Sequence, residues 1–166
     1  MTHPGASETE RAATVYQGSD DAAGLRFAVV VSRYNESITA RLLEGARTVL
    51  EERRAARIDV AWVPGALEIP LVAKYLAQSD RYDAIICLGC VIRGESLHFE
   101  LVAHQAAAGI ARVALETGVP VINEVLAVFD PADAAARAGG KFHRGIEGAH
   151  AAIRMATLRR ELTGLP

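Results

Sequence analysis

The sequence predicts an α/β fold, a three-layer α/β/α sandwich with helices on both faces of a four-stranded parallel sheet. Two observations lead to this prediction. Short apolar runs alternate with helical patterns four times along the chain, an order that produces a parallel sheet with right-handed crossovers. The run Ile85–Ile92 is apolar throughout, as expected of a strand buried on both faces.

Four segments have the composition and length of strands. They are Arg26–Ser32, Ile58–Val63, Ile85–Ile92 and Pro120–Val128. A weaker run, Thr14–Tyr16, is a candidate for a short additional strand. The preceding residues, 1–13, are polar, which predicts a disordered tail. We therefore expect residues 14–166 to form a single domain.

Helical patterns follow the strands. They cover residues 36–55, 67–79, 97–117, 131–138 and 145–162. In the first, apolar side chains recur on one stripe from Leu42 to Leu50, and charged residues occupy the other positions. Pro70 fits the second helix only in its first turn. Gly139 and Gly140 should end the fourth.

Composition excludes several classes of protein. The chain has 166 residues, of which 51% are hydrophobic, and a net charge of −2, which argues against nucleic acid as the main partner. No apolar stretch reaches the roughly 20 residues that cross a bilayer, and no signal-peptide core is present, so we expect a cytoplasmic protein. Cys87 and Cys90 lie inside a predicted strand, where we interpret them as inert core thiols rather than a redox pair.

Parallel sheets bind ligands at the carboxyl ends of their strands. This rule selects three loops that are distant in sequence: Tyr34–Asn35, Pro64–Ala66 and Gly94–Ser96. Ser96 is a plausible N-cap for the helix that follows, and free N–H groups at a helix start can bind an anion. His98 in the first turn is a candidate general acid/base.

Each candidate also has a structural interpretation. Tyr34 either closes the end of the core or stacks on a flat heterocycle. Glu68 either stabilises a helix start or accepts hydrogen bonds from ligand hydroxyls. The cations that could meet a phosphate are Arg93, Arg137, Lys141 and Arg144. The sequence contains no nucleotide-binding glycine loop, zinc-spaced cluster or Gly-x-Ser-x-Gly elbow.

Four blocks of the sequence are distinctive: Ser32–Asn35 with Ile38–Thr39, Val63–Pro70, Gly89–Glu100 and Arg137–Gly139. By these blocks and their order, residues 24–160 resemble the 6,7-dimethyl-8-ribityllumazine synthase family of riboflavin biosynthesis. It implies a flavodoxin-like fold and a transferase that uses no metal or organic cofactor. The enzyme would condense 5-amino-6-(D-ribitylamino)uracil with 3,4-dihydroxy-2-butanone 4-phosphate and release phosphate and water.

The resemblance also implies which residues bind the pyrimidine substrate. Tyr34 would stack on the ring with Asn35 beside it, and Glu68 would bond the hydroxyls of the ribityl chain. Further contacts would come from Gly65, Ala66, Leu67, Val91 and Ile92.

For the second substrate, the resemblance implies that Gly94, Glu95 and Ser96 cradle the phosphate. His98 would transfer protons during Schiff-base formation, phosphate elimination and ring closure. Most of the acceleration would come from positioning the two bound substrates.

In this family the site lies between neighbouring subunits of a pentamer, so the implied partners are small-molecule substrates and other copies of the chain. Asn123 and Arg137 would come from the adjacent subunit, and Arg144 would also approach the phosphate. The resemblance leaves open a free pentamer, a pentamer pair and an icosahedral shell, as well as an association with riboflavin synthase.

The chain departs from the family at several positions. Glu124 replaces a glycine, Ala127–Val128 replaces a threonine pair, and Ser96 replaces a threonine. We expect these changes to affect assembly and affinity rather than reaction type. The alternatives are an archaeal-type riboflavin synthase and a non-catalytic flavin-binding or shell-forming relative. Retention of Glu68, His98 and Arg137 favours the enzyme.

Overall fold

The computed structural model describes residues 13–165, and its strands form one parallel sheet. The strands are β1 (Arg26–Ser32), β2 (Arg57–Val63), β3 (Ala84–Ile92) and β4 (Val121–Val128). Their order is β2-β1-β3-β4, and every pairing is parallel. The predicted four-stranded sheet is confirmed, with each strand boundary within one residue of its expected place.

Five helices cover the two faces of this sheet. They are α1 (Glu36–Glu52), α2 (Ile69–Ala77), α3 (His98–Thr117), α4 (Pro131–Arg137) and α5 (Arg144–Thr163). One hydrophobic core joins the sheet to α1, α4 and α5, and a second joins it to α2 and α3. Alternate residues of β1 and β3 enter the two cores, so both strands are buried on both faces. The predicted three-layer, flavodoxin-like sandwich is confirmed.

Some helix boundaries differ from the prediction. Helix α1 ends at Glu52 rather than residue 55, because Arg54 adopts a left-handed conformation with φ 63° and Ala55 bridges to Ala23. The second helical segment begins with a 3-10 turn over Ala66–Glu68. Pro70 then lies in the first turn of α2, as predicted, where its missing N–H costs no hydrogen bond.

The short strand predicted at Thr14–Tyr16 is wrong. These residues have no strand partner, because the segment runs along α5 rather than along an edge of the sheet. The Gln17 N–H donates to the Glu161 carboxylate at 3.3 Å, and the Ser19 N–H donates to Thr157 Oγ1 at 2.8 Å. The tail prediction falls almost wholly on residues 1–12, which lie outside the described residues.

The N-terminal end of α5 is held closely against α1. A side chain at Gly145 would overlap the carbonyl group of Leu42, and the ring of His143 lies against Gly45. His143 Nδ1 also accepts a hydrogen bond from the Ile146 N–H at 3.4 Å, which caps the helix. This packing fixes the backbone from which Arg144 projects. Within residues 13–165, no helix has the length and apolar character needed to cross a membrane.

Candidate active site

A cavity of about 480 Å³ opens where the three predicted loops meet at the carboxyl edge of the sheet. Its walls come from the ends of β1, β2 and β3 and from the start of α3. The residues that line it are Tyr34, Pro64, Gly65, Ala66, Leu67, Glu68, Cys90, Val91, Ile92, Gly94, Ser96, His98, Phe99 and Val102. The cavity therefore lies at the edge of the sheet where the rule for parallel sheets predicts a ligand.

The loop after β1 places Tyr34 in this cavity. The side chain is 75% exposed, so it does not close the end of the core. The Tyr34 N–H donates to the Pro64 carbonyl at 3.1 Å, which ties the loop to the end of β2. Asn35 lies beside it with φ 58° and donates from Nδ2 to the Cys90 carbonyl at 2.8 Å. Asn35 does not line the cavity, and its contact instead fixes the loop against β3.

The loop after β2 carries Glu68. Its Oε2 atom accepts a hydrogen bond from the Gly65 N–H at 2.9 Å, which completes the capping of the helix start. Among the described residues, no hydrogen bond uses the other carboxylate oxygen, Oε1. One carboxylate can therefore stabilise the helix start and still accept a hydrogen bond from a ligand.

The loop after β3 leads into α3 with open space around its backbone. A side chain added at Gly94 would meet no atom within 4 Å. Helix α3 begins at His98 with Leu97 as its N-cap, so the expectation that Ser96 caps the helix is wrong by one residue. The Ser96 Oγ atom still accepts from the His98 N–H, at 3.4 Å. Glu95 is exposed and does not line the cavity.

The inner wall of the cavity is apolar. Val91 and Ile92 lie on it, together with Cys90, Phe99 and Val102. The sequence analysis missed these three. Val102 had a signal, because it follows His98 by four positions on a helix and so shares its side of α3.

The cysteines behave as inert core residues. Burial raises the pKa of the Cys90 thiol to about 11 and raises the pKa of the Cys87 thiol further. Both thiols are therefore protonated near neutral pH, when a thiol is a poor nucleophile. Cys90 supplies apolar surface to the cavity rather than chemistry.

The remaining predicted contacts do not line this cavity. Asn123 is exposed on β4, and its Oδ1 atom accepts from the Val125 N–H at 3.0 Å. Arg137 and Arg144 line a second cavity of about 360 Å³ between α4 and α5, together with Phe142 and Glu147. Within one chain, the predicted phosphate-binding arginines are therefore separated from the loop that would cradle the phosphate.

The two arginines of the second cavity have different partners. Arg137 makes an exposed contact at 3.5 Å with Asp133 on its own helix. Arg144 bonds through Nε to the buried carboxylate of Glu124 at 3.0 Å, and through Nη1 to Glu147 at 2.6 Å. Burial raises the pKa of Glu124; the Arg144 guanidinium opposes the shift.

Arg93, His143 and His150 contact other residues of their own chain. Arg93 stacks on Phe129 at 5.6 Å, and it lines neither of the two cavities. His143 caps α5, and His150 Nδ1 lies 2.7 Å from Asp20 Oδ1. No group of three or more potential metal-ligating side chains occurs among residues 13–165.

Comparison with known proteins identifies the family. The sequence model of the 6,7-dimethyl-8-ribityllumazine synthase family matches residues 24–160. A protein of that name from Thermococcus gammatolerans is 50% identical over 139 residues, covering 84% of this chain and 90% of the relative. Proteins of the same name from Clostridium kluyveri and Thermococcus kodakarensis are 48% and 47% identical, each over 89% of this chain and 98% and 95% of their own lengths. The chain therefore belongs to the 6,7-dimethyl-8-ribityllumazine synthase family, a family of transferases in riboflavin biosynthesis.

Proposed function

We propose that the chain condenses 5-amino-6-(D-ribitylamino)uracil with 3,4-dihydroxy-2-butanone 4-phosphate to give 6,7-dimethyl-8-ribityllumazine, phosphate and water. The observation that carries the proposal is one cavity with an exposed aromatic ring, an available carboxylate oxygen and a histidine at a helix start. Residues 14–166 would act as one catalytic domain. Imine formation, elimination and ring closure proceed by proton transfer, so the proposed reaction needs no metal or organic cofactor.

The pyrimidine substrate binds on the side of the cavity formed by β1 and β2. Tyr34 stacks on the heterocycle, and Asn35 holds the Tyr34 loop against β3. Glu68 accepts hydrogen bonds from the ribityl hydroxyls through Oε1. The walls that complete this half are Gly65, Ala66, Leu67, Val91 and Ile92, with Asn123 reaching in from a neighbouring subunit.

The phosphate substrate binds on the opposite side, where α3 begins. The backbone of Gly94, Glu95 and Ser96 and the positive end of the α3 dipole favour an anion there. Arg137 and Arg144 of a neighbouring copy complete the phosphate site. This arrangement is supported by the two cavities of a single chain: Arg137 and Arg144 line one of them, and Gly94 and Ser96 line the other.

The proposed assembly follows from this division of the site. The chain works as a homo-oligomer with its active site between subunits, in a pentamer that is free, paired into a decamer or built into an icosahedral shell. We place the protein in the cytoplasm, with small molecules and its own copies as partners and with riboflavin synthase as a candidate associate. Nucleic acid and membrane play no part in the proposed function.

His98 performs the proton transfers. Its side chain is exposed to the cavity between the two proposed substrate sites. It can donate a proton as water leaves during imine formation and accept one during elimination of phosphate. Because both substrates are held together, most of the acceleration comes from their positioning.

The test mixes the purified chain with both substrates and a metal chelator and follows the absorbance of the lumazine. We expect formation above the spontaneous rate, and His98→Ala to lower kcat by up to about 100-fold, at the low end of what general acid–base catalysis contributes. His104→Ala, an exposed histidine of the same helix, is the matched control and should leave kcat unchanged.

Two results would contradict the proposal. No turnover above the spontaneous rate would remove the catalytic function, and equal losses in the two histidine variants would remove the role of His98. Formation of riboflavin from lumazine alone would instead identify the riboflavin synthase alternative.

A further inference from the structure

A buried carboxylate lies on β4 beneath the start of α5. Glu124 is 7% exposed, and its side chain occupies space that a glycine of α5 leaves free. A Cβ atom added at Gly148 would lie 2.6 Å from Glu124 Cγ, which is too close for any side chain. The two positions are therefore matched, and the fold accommodates a carboxylate at this point.

The partner of this carboxylate is Arg144. Its Nε atom lies 3.0 Å from Glu124 Oε2, and its Nη1 atom lies 2.6 Å from Glu147 Oε2. A buried carboxylate is costly unless it is paired, so the contact with Arg144 is strongly favoured. A guanidinium carries five N–H groups in one plane, and these two bonds leave three of them for another ligand. The two carboxylates thus set the orientation of the guanidinium.

The backbone beneath Arg144 is fixed as well. Gly145 packs against the Leu42 carbonyl, and His143 caps the helix through the Ile146 N–H. The remaining freedom of Arg144 lies in its long side chain, whose rotamers an unrestrained arginine must give up on binding. Glu124 removes this freedom before a ligand arrives, which is preorganisation.

We propose that Glu124 is a positioning residue that presents Arg144, beside Arg137, to the phosphate of the substrate. This rests on the proposed function, which assigns Arg144 to the phosphate bound by a neighbouring copy. Arg144 and Arg137 line the same cavity, so a phosphate that meets one can meet the other. Glu124 does not itself touch the substrate.

The experiment measures KM and kcat for each substrate in Glu124→Ala, Glu124→Gln, Arg144→Ala and the double variant Glu124→Gln/Arg144→Ala. We expect Glu124→Ala to raise KM for the phosphate substrate about 5-fold, the scale of one arginine losing its preorganisation. Glu124→Gln keeps a neutral acceptor of similar shape and should raise it about 2-fold. In both variants, kcat and KM for the pyrimidine substrate should stay unchanged.

The double variant separates positioning from a general effect on the fold. If Glu124 acts through Arg144, the double variant should have the same KM for the phosphate substrate as Arg144→Ala alone. If Glu124→Ala fails to fold, the effect of Glu124→Gln on this KM is compared between the wild-type protein and Arg144→Ala. An effect in the wild-type protein only supports the positioning role. The control is Glu51→Gln, which breaks an exposed pair with Arg47 on α1 and should change neither KM.

The outcomes distinguish this inference from the proposed function. An unchanged KM in Arg144→Ala would remove Arg144 from the phosphate site and overturn both assignments. A raised KM in Arg144→Ala with an unchanged KM in the Glu124 variants would overturn the positioning role alone. A lowered KM in Glu124→Gln would do the same, because it would mean that Glu124 only neutralises the charge of Arg144.

Discussion

Glu68 allows a helix-capping role and a ligand-binding role to be measured separately. Its Oε2 atom accepts from the Gly65 N–H at 2.9 Å, and we propose that its Oε1 atom accepts from the ribityl hydroxyls. Glu68→Gln keeps an acceptor for the Gly65 N–H, because glutamine also serves at this position of a capping box. Glu68→Ala removes both acceptors. Both variants remove the same negative charge, but only Glu68→Ala loses the cap, so Glu68→Ala should be the less stable of the two.

The expected magnitudes follow from these contacts. Loss of the cap should cost Glu68→Ala about 1 kcal/mol, which lowers the Tm of a chain of this size by about 2–4 °C. Glu68→Gln should change the Tm by much less. A hydrogen bond to a charged group is worth about 1 kcal/mol more than a neutral one. Replacing the carboxylate by an amide should therefore raise KM for the pyrimidine substrate roughly 5-fold, and Glu68→Ala should raise it further.

The assay combines thermal unfolding with steady-state kinetics in which each substrate is varied in turn. The control is Glu116→Gln, which breaks an exposed contact with Lys74 between α3 and α2 and lies away from the cavity. The reasoning is refuted if Glu68→Ala lowers the Tm while KM for the pyrimidine substrate stays at the wild-type value. That result would leave Glu68 with the capping role alone.

Two further predictions concern buried groups. Burial raises the pKa of both thiols, so Cys87 and Cys90 should remain unmodified by a thiol reagent at pH 8 in the folded protein. Both should react after denaturation. Rapid labelling of the native protein would contradict this prediction. Burial raises the pKa of Glu124, so the folded protein binds the carboxyl proton more tightly than the unfolded chain does. This proton binding stabilises the fold below the unfolded pKa of about 4.3, and the stabilisation is lost as pH rises through the folded pKa. The unfolding free energy of Glu124→Gln relative to wild type should therefore increase from about pH 4 upward, and a difference independent of pH would show that Arg144 compensates the burial fully.

The sequence predicted the sheet well because its central strands are buried on both faces. A continuous apolar run such as Ile85–Ile92 is stable only in a buried environment, so its limits lie within one residue of the limits of the strand. The end of α1 was harder to predict, because Arg54 takes the left-handed conformation that glycine usually occupies. The strand predicted at Thr14–Tyr16 is wrong for another reason: the residues that follow it, Gln17 and Ser19, bond to α5, and no local pattern encodes those contacts.

The candidate site also has features that the sequence predicted and features that it did not. The position of three loops followed from topology alone, because parallel strands end at one edge. The contact of Asn35 with the Cys90 carbonyl did not, since it depends on a left-handed residue and on the register of β3 against β1. The pairing of Glu124 with Arg144 also lay beyond the sequence, because it joins β4 to α5 through a space that only Gly148 leaves open.

The charge of the main cavity explains why the proposed site needs a second copy of the chain. Among the described residues that line it, none is arginine or lysine, and Glu68 contributes a negative charge. Backbone N–H groups and a helix dipole favour an anion, but the dipole amounts to only about half an elementary charge, and a phosphate monoester carries nearly two. The balance must come from cations outside this cavity. Arg137 and Arg144 line another cavity of the same chain, so we expect the arginines of a neighbouring subunit to supply that charge.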